Sequence, residues 1–526
     1  MKTAIKKAVL VLLDGFGLGP AGPGNAIALS GMPFLNRLAS EFPSFSLVAS
    51  GLAVGMPWGK FGNSEVGHSA IGTGRIIIQD LARINEEIRS ERFFKNKAFI
   101  KTLEHVKKHN SGVHLIGCVS PGGIHSHEDH LIALLEFFAL YKWNKVFVHM
   151  ITDGEDAGPH EALNSLEKMN VALKSSGARI ASLSSRTYAM DRVQNWALIQ
   201  KAWKAFVEGE GIKTEDAEKY IKESYQNNVP DVQIPPAVVV ENGLPIGRVS
   251  DNDAVIFFNF RNDRMRQIVA PFVLEKFDGF NREKALKNLF VVTMTKYADE
   301  FPAAVAYEAP IVANTLGDII SKKGLKQVRI AEKEKEAHVT KFFNGGRIGR
   351  FDGEERMIVS SKMLVGDEYV KHPEMAAEKI ADALIKCLKD DFTLYVVNFA
   401  NADMIAHTGN IKATIRALNL LDKLLDKIWQ SIRSDPENLL VVTADHGNAE
   451  ELIDPLTNAP DTQHSNNNVP IIFAAQGLDK YGSGRNLAAL AEQNSVGTLL
   501  DVAPSILYLL GLEKPKEMTG ESLLLR

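Results

Sequence analysis

The chain has 526 residues, of which 45% are hydrophobic and 24% charged, and its formal net charge is −4. A single hydrophobic core stops growing at about 250–300 residues, so we expect two domains. This net charge gives no indication of a positively charged surface that would bind nucleic acid. No apolar run approaches the roughly 18 residues of a membrane span. Cys118 and Cys387 are the only cysteines, too few for a disulfide framework. We therefore expect a monomeric, cytoplasmic protein that acts on a small molecule.

The first predicted element is a strand at residues 8–13, "AVLVLL". The preceding lysines superficially resemble the start of a signal peptide, but the apolar run is short and Asp14 ends it. Similar apolar runs that do not alternate with polar residues follow at 113–119, 145–151, 254–260, 289–295, 394–400 and 439–445. Such runs are typical of parallel sheets covered by helices on both faces. Apolar residues at helical spacing in 127–143 and 411–432 complete the prediction of an α/β fold. The segment 208–253 is predicted to be either a lid or hinge region or an ordinary surface excursion.

Polar side chains interrupt several of these strands at their carboxyl ends, where open α/β sheets bind ligands. The residues concerned are Asp14, Asp403, His407, Asp445, His446 and the later His464. Carboxylate and imidazole suit divalent ions such as Mn²⁺, and a set of this size fits a two-metal site. Taken singly, Asp14 could instead be a turn or helix-cap residue. Asp403 and His407 could instead form a contact on the surface of a helix. Asp445 and His446, at the end of a buried strand, need partners.

The stretch 61–74, "FGNSEVGHSAIGTG", concentrates glycine around Ser64 and His68. Glycine allows close approach of backbone to backbone or to a ligand. Ser64 has two interpretations: a cap of the following helix, or a nucleophile activated by a neighbouring two-metal site that also holds phosphoryl oxygens.

Ten motifs, in order between residue 8 and about 475, resemble those of the cofactor-independent (2,3-bisphosphoglycerate-independent) phosphoglycerate mutases. They read "LLDGFG", "GNSEVGH", "GGIHSHEDHL", "TDGEDAGP", "RTYAMDR", "FNFRNDR", "EKEAHVTKFFNGG", "NADMIAHTG", "TADHGNAE" and "QHSNNNVP". The resemblance implies an alkaline-phosphatase-like, parallel-sheet, metal-binding domain formed by 1–77 and 312–526. A second α/β domain, 78–311, would be inserted into it and would bind the substrate and serve phosphoryl transfer.

The resemblance also implies roles for single residues. Ser64 would carry the phosphoryl group and share one Mn²⁺ with Asp14, Asp445 and His446, while Asp403, His407 and His464 would hold a second Mn²⁺. Phosphoglycerate would be bound by His125, Asp156, Arg186, Arg192, Arg261 and Arg264 of the inserted domain, with Lys335 contributed from the other domain. The implied reaction is the glycolytic and gluconeogenic interconversion of 3-phosphoglycerate and 2-phosphoglycerate.

Three positions depart from the family pattern. Glu155 stands where a substrate-binding arginine is expected, Pro121 replaces aspartate in "SPGG", and Glu336 replaces tyrosine in "EKEAH". We expect Glu155 to turn away and pair with a neighbouring arginine; otherwise the site would prefer a less anionic substrate. Two alternative functions stay open at this point: a phosphate-ester hydrolase of the same superfamily, and a non-catalytic metal-binding relic.

Overall fold

The computed structural model describes residues 5–56, 59–283, 285–360, 364, 366–454, 457–482 and 484–525. The chain divides into two compact units, Met1–Ile78 with Pro310–Arg526, and Gln79–Ala309. Each unit has a largely parallel sheet with its own hydrophobic core, so the predicted α/β class is confirmed. Within the described ranges, no helix combines the length and the apolar character needed to cross a bilayer.

The sheet of the first unit is parallel except for Val469–Ala474, which runs against both of its neighbours. Lys7–Leu13 lies inside this sheet, between Leu394–Phe399 and Asn438–Thr443, and pairs in parallel with both. Its apolar side chains are buried, which explains the unbroken apolar run in the sequence. Across the sheet the strands are Glu354–Val359, Gln327–Glu332, Leu394–Phe399, Lys7–Leu13, Asn438–Thr443, Val469–Ala474, Ser44–Val48 and Gly497–Thr498.

Helices surround this sheet. The α-helices are Ala26–Ser30, Pro33–Glu41, Ser64–Thr73, Leu316–Lys322, Glu368–Lys371, Ala377–Cys387, Asn401–Ala406, Ile411–Ile432, Leu487–Ala491 and Val502–Leu509. Shorter helical turns lie at Gly51–Val54, Lys333–Lys335, His338–Phe342, Asp479–Tyr481, Leu499–Asp501 and Leu523–Leu525. The predicted helix at 411–432 has these bounds in the structure, and Asn410 caps its start by accepting a hydrogen bond from the Ala413 amide.

The second unit has its own sheet, which is parallel through its centre. Across it the strands are Ala304–Val305, Phe290–Thr293, Ala254–Phe257, Val113–Val119, Val146–Thr152, Arg179–Ser185, Ala237–Glu241 and Ile212–Thr214, with Leu244–Pro245 paired to Ala237–Glu241. The α-helices are Asp80–Arg89, Lys97–His109, Glu128–Leu140, Ala162–Ser176, Arg186–Ala189, Trp196–Val207, Ala217–Gln226 and Arg266–Val273, with turns at Phe93–Lys95 and Asp231–Gln233.

The segment 208–253, predicted as a lid or hinge or as a surface excursion, extends the edge of this second sheet. Ala237–Glu241 pairs antiparallel with Arg179–Ser185 and parallel with Ile212–Thr214. The helix Ala217–Gln226 lies between the two added strands in sequence. The segment is therefore a folded part of the second unit.

Candidate metal centre and basic cluster

Neighbouring strands bring the predicted metal ligands together in the first unit. Asp14 directly follows Lys7–Leu13, and Asp445 and His446 follow Asn438–Thr443. Asp403 lies in the short helix after Leu394–Phe399. Because these three strands are adjacent and parallel, their carboxyl ends meet at one edge of the sheet.

The helix Ser64–Thr73 brings Ser64 to the same edge. Asn63 is the N-cap, because its side chain accepts a hydrogen bond from the Val66 amide, and Ser64 is the first helical residue. The interpretation of Ser64 as the cap is therefore wrong. Gly67 explains part of the glycine content: a Cβ at this position would clash with the backbone oxygen of Asp445. This close approach brings the helix that carries Ser64 against the loop that carries Asp445.

Three of the predicted ligand atoms form a tight triangle. Nε2 of His407 lies 3.2 Å from Oδ1 of Asp403, and Nε2 of His464 lies 3.4 Å from the same oxygen. The two Nε2 atoms are 3.2 Å apart. Each Nδ1 faces a backbone carbonyl, that of Thr462 at 2.7 Å for His407 and that of Gly62 at 2.9 Å for His464.

A carbonyl oxygen only accepts hydrogen bonds, so Nδ1 carries the hydrogen in both rings and a neutral ring turns a lone pair on Nε2 toward Asp403. Metal-binding histidines commonly have this arrangement. The spacing also fits ligand atoms about 2.1 Å from a shared ion. The residues present therefore fit a divalent ion.

A second ligand group lies beside the first and contains Asp14, Asp445 and His446. Nε2 of His446 is 3.0 Å from the Ser64 hydroxyl oxygen and 3.5 Å from Oδ1 of Asp14. The Ser64 hydroxyl is 3.1 Å from the same Asp14 oxygen. His446 is also close enough to Asp403 and His464 to belong to a ligand group with them, so the two groups adjoin. All four residues that the family resemblance assigns to the first ion are thus together.

Lys335 lies within this centre. Its Nζ donates to Oδ1 of Asp14 at 2.7 Å, to Oδ2 of Asp403 at 2.8 Å and to the Ser64 hydroxyl at 2.9 Å. Burial opposes its charge, but the two carboxylates prevail and raise the pKa of Lys335 above its usual range. The structure thus places this residue against the nucleophile candidate and the metal-ligand candidates.

The electrostatics of the centre favour bound cations. Asp14, Asp403 and Asp445 are buried. Burial opposes ionisation of Asp14, but Lys335 and His446 hold its pKa well below the usual range. Burial likewise opposes protonation of His446, yet Asp445 and Asp14 raise its pKa to about 10. Buried carboxylates need partners of opposite charge, and divalent ions would supply them.

Several polar residues that the sequence did not predict as ligands hold the ligands in place. The Asn398 amide donates to Oδ2 of Asp14 at 2.7 Å, and that of Asn448 donates to Oδ1 of Asp403 at 2.9 Å. His68 Nδ1 lies 3.0 Å from Oδ2 of Asp445. Asn398 was detectable as the polar residue inside the apolar run "LYVVNFA", and its burial required a partner.

The second unit gathers the other predicted residues into a basic cluster: His125, Asp156, Arg186, Arg192, Arg261 and Arg264. Arg186 is at its buried centre, with Nη1 2.6 Å from both Oδ1 of Asp153 and Oδ2 of Asp156. Asp263 lies 3.5 Å from His125, 3.6 Å from Arg192 and 3.5 Å from Arg261. Burial outweighs Asp263 and lowers the pKa of His125 to about 4. The acidic members Asp153 and Asp263 were missed, although Asp153 also follows a buried strand.

Glu155 belongs to this cluster and faces its arginines. Its Oε2 lies 2.8 Å from Nη2 of Arg186 and 3.6 Å from Nη2 of Arg264. The expected pairing with arginine is present, but the partners are residues predicted to bind substrate. An incoming anion would therefore compete with Glu155 for Arg186 and Arg264.

The chain is similar to known proteins along nearly its whole length. Residues 84–299 match the family model described as BPG-independent PGAM N-terminus. The chain is 41% identical over 524 residues to the 2,3-bisphosphoglycerate-independent phosphoglycerate mutase of Acetivibrio thermocellus, covering 99% of both chains. A relative of the same name from Moorella thermoacetica is 41% identical over 519 residues, covering 98% of each chain.

Among solved structures, phosphoglycerate mutase of Leishmania mexicana is similar to this chain with a TM-score of 0.73 and 27% identity. The similarity covers 98% of this chain and 97% of that one. Identity above 40% along nearly the whole length, together with the shared fold, establishes the relationship. The chain belongs to the family of 2,3-bisphosphoglycerate-independent phosphoglycerate mutases.

Proposed function

We propose that this enzyme interconverts 3-phosphoglycerate and 2-phosphoglycerate through a phosphoserine at Ser64. The observation that carries the proposal is the position of the Ser64 hydroxyl, 2.9 Å from the Lys335 ammonium, 3.1 Å from Asp14 and 3.0 Å from His446. A serine so surrounded by a cation and metal-ligand candidates has the environment of an activated nucleophile. The family to which the chain belongs supports the same reaction.

The proposed cofactors are two divalent ions, with Mn²⁺ the best match to a set of carboxylates and imidazoles without thiolate. Asp14, Ser64, Asp445 and His446 would hold one ion, and Asp403, His407 and His464 the other. When bound, such ions neutralise phosphoryl oxygens and lower the cost of ionising a hydroxyl. The Leishmania mexicana relative was crystallised at low cobalt concentration, which supports a divalent ion here.

The residues of the chain perform the chemistry in two steps. First, Ser64 Oγ forms a bond to phosphorus while the bond between phosphorus and the substrate oxygen breaks, and the leaving oxygen takes up the proton that Ser64 loses. Second, the other hydroxyl of glycerate attacks the phosphoserine, and Ser64 recovers a proton. The Lys335 ammonium donates directly to Oγ, so it stabilises negative charge there in both steps.

We propose two sets of substrate-binding residues, each within its own unit: the basic cluster of the second unit, and Lys335 of the first. Guanidinium groups meet carboxylate or phosphate with paired hydrogen bonds. His125, whose pKa is lowered to about 4 by burial, is neutral at pH 7 and offers a hydrogen bond without charge. This division assigns phosphoryl transfer to Met1–Ile78 with Pro310–Arg526, and substrate binding to Gln79–Ala309.

The proposed setting is glycolysis and gluconeogenesis in the cytoplasm, with the enzyme acting as a monomer. Both cysteines, Cys118 and Cys387, are buried free thiols, which suits a reducing compartment. The proposed partner is phosphoglycerate alone, with neither nucleic acid nor membrane required for the reaction.

The decisive test is to supply Mn²⁺-loaded protein with 3-phosphoglycerate, in the absence of 2,3-bisphosphoglycerate, and to follow both 2-phosphoglycerate and free phosphate. We expect 2-phosphoglycerate to form until equilibrium while free phosphate stays at the level of a protein-free control. Release of phosphate as the main product would instead identify a hydrolase. Formation of neither product would contradict a catalytic role.

Replacing Glu155 with arginine should strengthen substrate binding. The substitution removes a carboxylate that is 45% exposed and pairs with Arg186, and it adds a positive charge beside Arg264. An exposed ion pair is worth up to about 1 kcal/mol, so we expect KM for 3-phosphoglycerate to fall by about 5-fold. The product stays 2-phosphoglycerate, and initial rates against substrate concentration measure the change.

The matched control is Glu167→Arg, which makes the same charge change at an exposed position of the helix Ala162–Ser176. It should leave KM unchanged, which separates a local effect from a change in net charge. An unchanged KM in Glu155→Arg would show that Glu155 does not compete with the substrate. Turnover of a different phosphate ester by the parent protein, in place of phosphoglycerate, would refute the substrate assignment.

A further inference from the structure

Glu450 is a buried carboxylate that belongs to neither metal-ligand group. The residue is 3% exposed. Oε2 accepts hydrogen bonds from the backbone amides of Gly17 at 3.0 Å and Asn448 at 2.9 Å. Oε1 accepts from the Ser465 hydroxyl and, at 3.1 Å, from the Asn467 amide. These donors are uncharged, so the carboxylate is held by hydrogen bonds to the surrounding loops.

Each donor lies within three residues of a metal-ligand candidate in sequence. Gly17 is three residues after Asp14, and Ser465 directly follows His464. Asn448 is two residues after His446, and its side chain reaches Asp403 Oδ1 at 2.9 Å. One carboxylate therefore connects the loops that carry ligands of both groups.

The loops also pack tightly around Glu450. A Cβ at Gly17 or at Gly447 would clash with the Glu450 carboxyl group. This close fit leaves the carboxylate little freedom, and it fixes the backbone of the loops relative to one another.

We propose that Glu450 is a positioning residue that holds the Asp14, His446 and His464 loops in the geometry that binds both ions. The inference rests on the metal-dependent function proposed above. Hydrogen-bond partners that orient metal ligands typically contribute 10–100-fold in metal affinity. Glu450 acts one step further out, because it orients the loops on which the ligands are carried.

The pattern of donors predicts which substitution is tolerated. The two donors at Oε2 are backbone amides and cannot reverse, whereas the Ser465 hydroxyl and the Asn467 amide group can rotate to accept. A glutamine at 450 can therefore direct its oxygen to the backbone amides and its NH₂ group to Ser465 and Asn467. Alanine satisfies none of these groups.

The test is to titrate Mn²⁺ into the metal-free full chain by calorimetry and to record thermal unfolding of the same metal-free samples. We expect Glu450→Ala to weaken Mn²⁺ affinity by about 10–100-fold and Glu450→Gln to keep it within about 3-fold of the parent. The matched control is Glu451→Ala, because the Glu451 carboxylate also accepts from the Asn467 side chain, at 2.9 Å, while its backbone amide, which alanine keeps, donates to the Asn448 carbonyl at 3.1 Å. Its affinity should equal that of the parent.

Should Glu450→Ala fail to fold, Ser465→Ala gives the same information, since it removes one donor and leaves Glu450 in place. A folded Ser465→Ala protein should bind Mn²⁺ several-fold more weakly than Glu451→Ala. Parental affinity in Glu450→Ala or in Ser465→Ala would overturn the proposal, as would equal losses in Glu450→Gln and Glu450→Ala. If the parent itself binds no Mn²⁺, the proposed metal-dependent function fails; that outcome is visible in the parental titration alone.

Discussion

Replacing Ser64 with alanine is expected to abolish mutase activity, with kcat reduced by at least about 10⁴-fold, as for other nucleophiles removed from a catalytic group. The hydroxyl is the acceptor of the proposed phosphoryl group, and alanine offers no substitute. Stability should change little, because the helix cap is Asn63 rather than Ser64 and alanine favours the helix. A coupled assay that follows the formation of 2-phosphoglycerate measures activity, and thermal unfolding measures stability.

Ser69→Ala provides a matched control, since Ser69 is a buried serine of the same helix outside both ligand groups. This variant should retain parental kcat. Mass spectrometry of acid-quenched parent should further show one added phosphoryl group, located on the peptide containing Ser64 and missing from Ser64→Ala. Turnover near the parental rate in Ser64→Ala, or phosphorylation of another residue, would refute the assignment.

Continuous apolar runs predicted the central strands well, because a strand buried on both faces by helices has no polar face to reveal. The predicted strand at 254–260 ends earlier, at Phe257. Asn259 gives the physical reason: its side-chain oxygen accepts a hydrogen bond from the Cys118 amide at 2.8 Å. A side chain thus takes the place of a backbone carbonyl, which ends the regular ladder of hydrogen bonds. Such an exchange is not visible in hydropathy.

Edge strands were harder to predict than central ones. Ile212–Thr214 has two exposed residues and one half-buried residue, and Leu244–Pro245 is only two residues long. Neither has the length or the apolar character of a core strand, so each depends on pairing with Ala237–Glu241. Their formation is set by the tertiary partner rather than by local sequence.

Asp14 and Asp445 could be predicted from the sequence because the residues that follow parallel strands meet at one edge of the sheet. Lys335 could not be found in this way. It lies in "EKEKEAH", a charged stretch typical of a solvated surface, and only the fold brings its ammonium to Asp14, 321 positions away. Glu450 was hidden for a similar reason, since its hydrogen-bond partners come from separate loops.

Exhaustive removal of divalent ions is the second change with a large expected effect, and it should reduce mutase activity to background. The physical reason lies in the charges of the centre: Asp14, Asp403 and Asp445 are all buried, and the Lys335 ammonium pairs with Asp14 and Asp403. Without ions, Ser64 would have to ionise among these carboxylates, which disfavour further negative charge. Mn²⁺ added to the chelated protein should restore activity.

The same treatment should change stability, which gives a readout independent of turnover. A ligand that binds only the folded state contributes RT ln(1 + [L]/Kd), or about 2.7 kcal/mol per site at 100 times its Kd. We expect Mn²⁺ to raise the unfolding temperature of the parent, and elemental analysis to find two ions per chain. His407→Ala should lose one of them, since its Nε2 lies 3.2 Å from Asp403 and the other ligand group does not contain it. Full activity in protein shown by elemental analysis to be free of metal would contradict the two-ion mechanism, because only the charges of Lys335 and His446 would then offset the buried carboxylates during phosphoryl transfer.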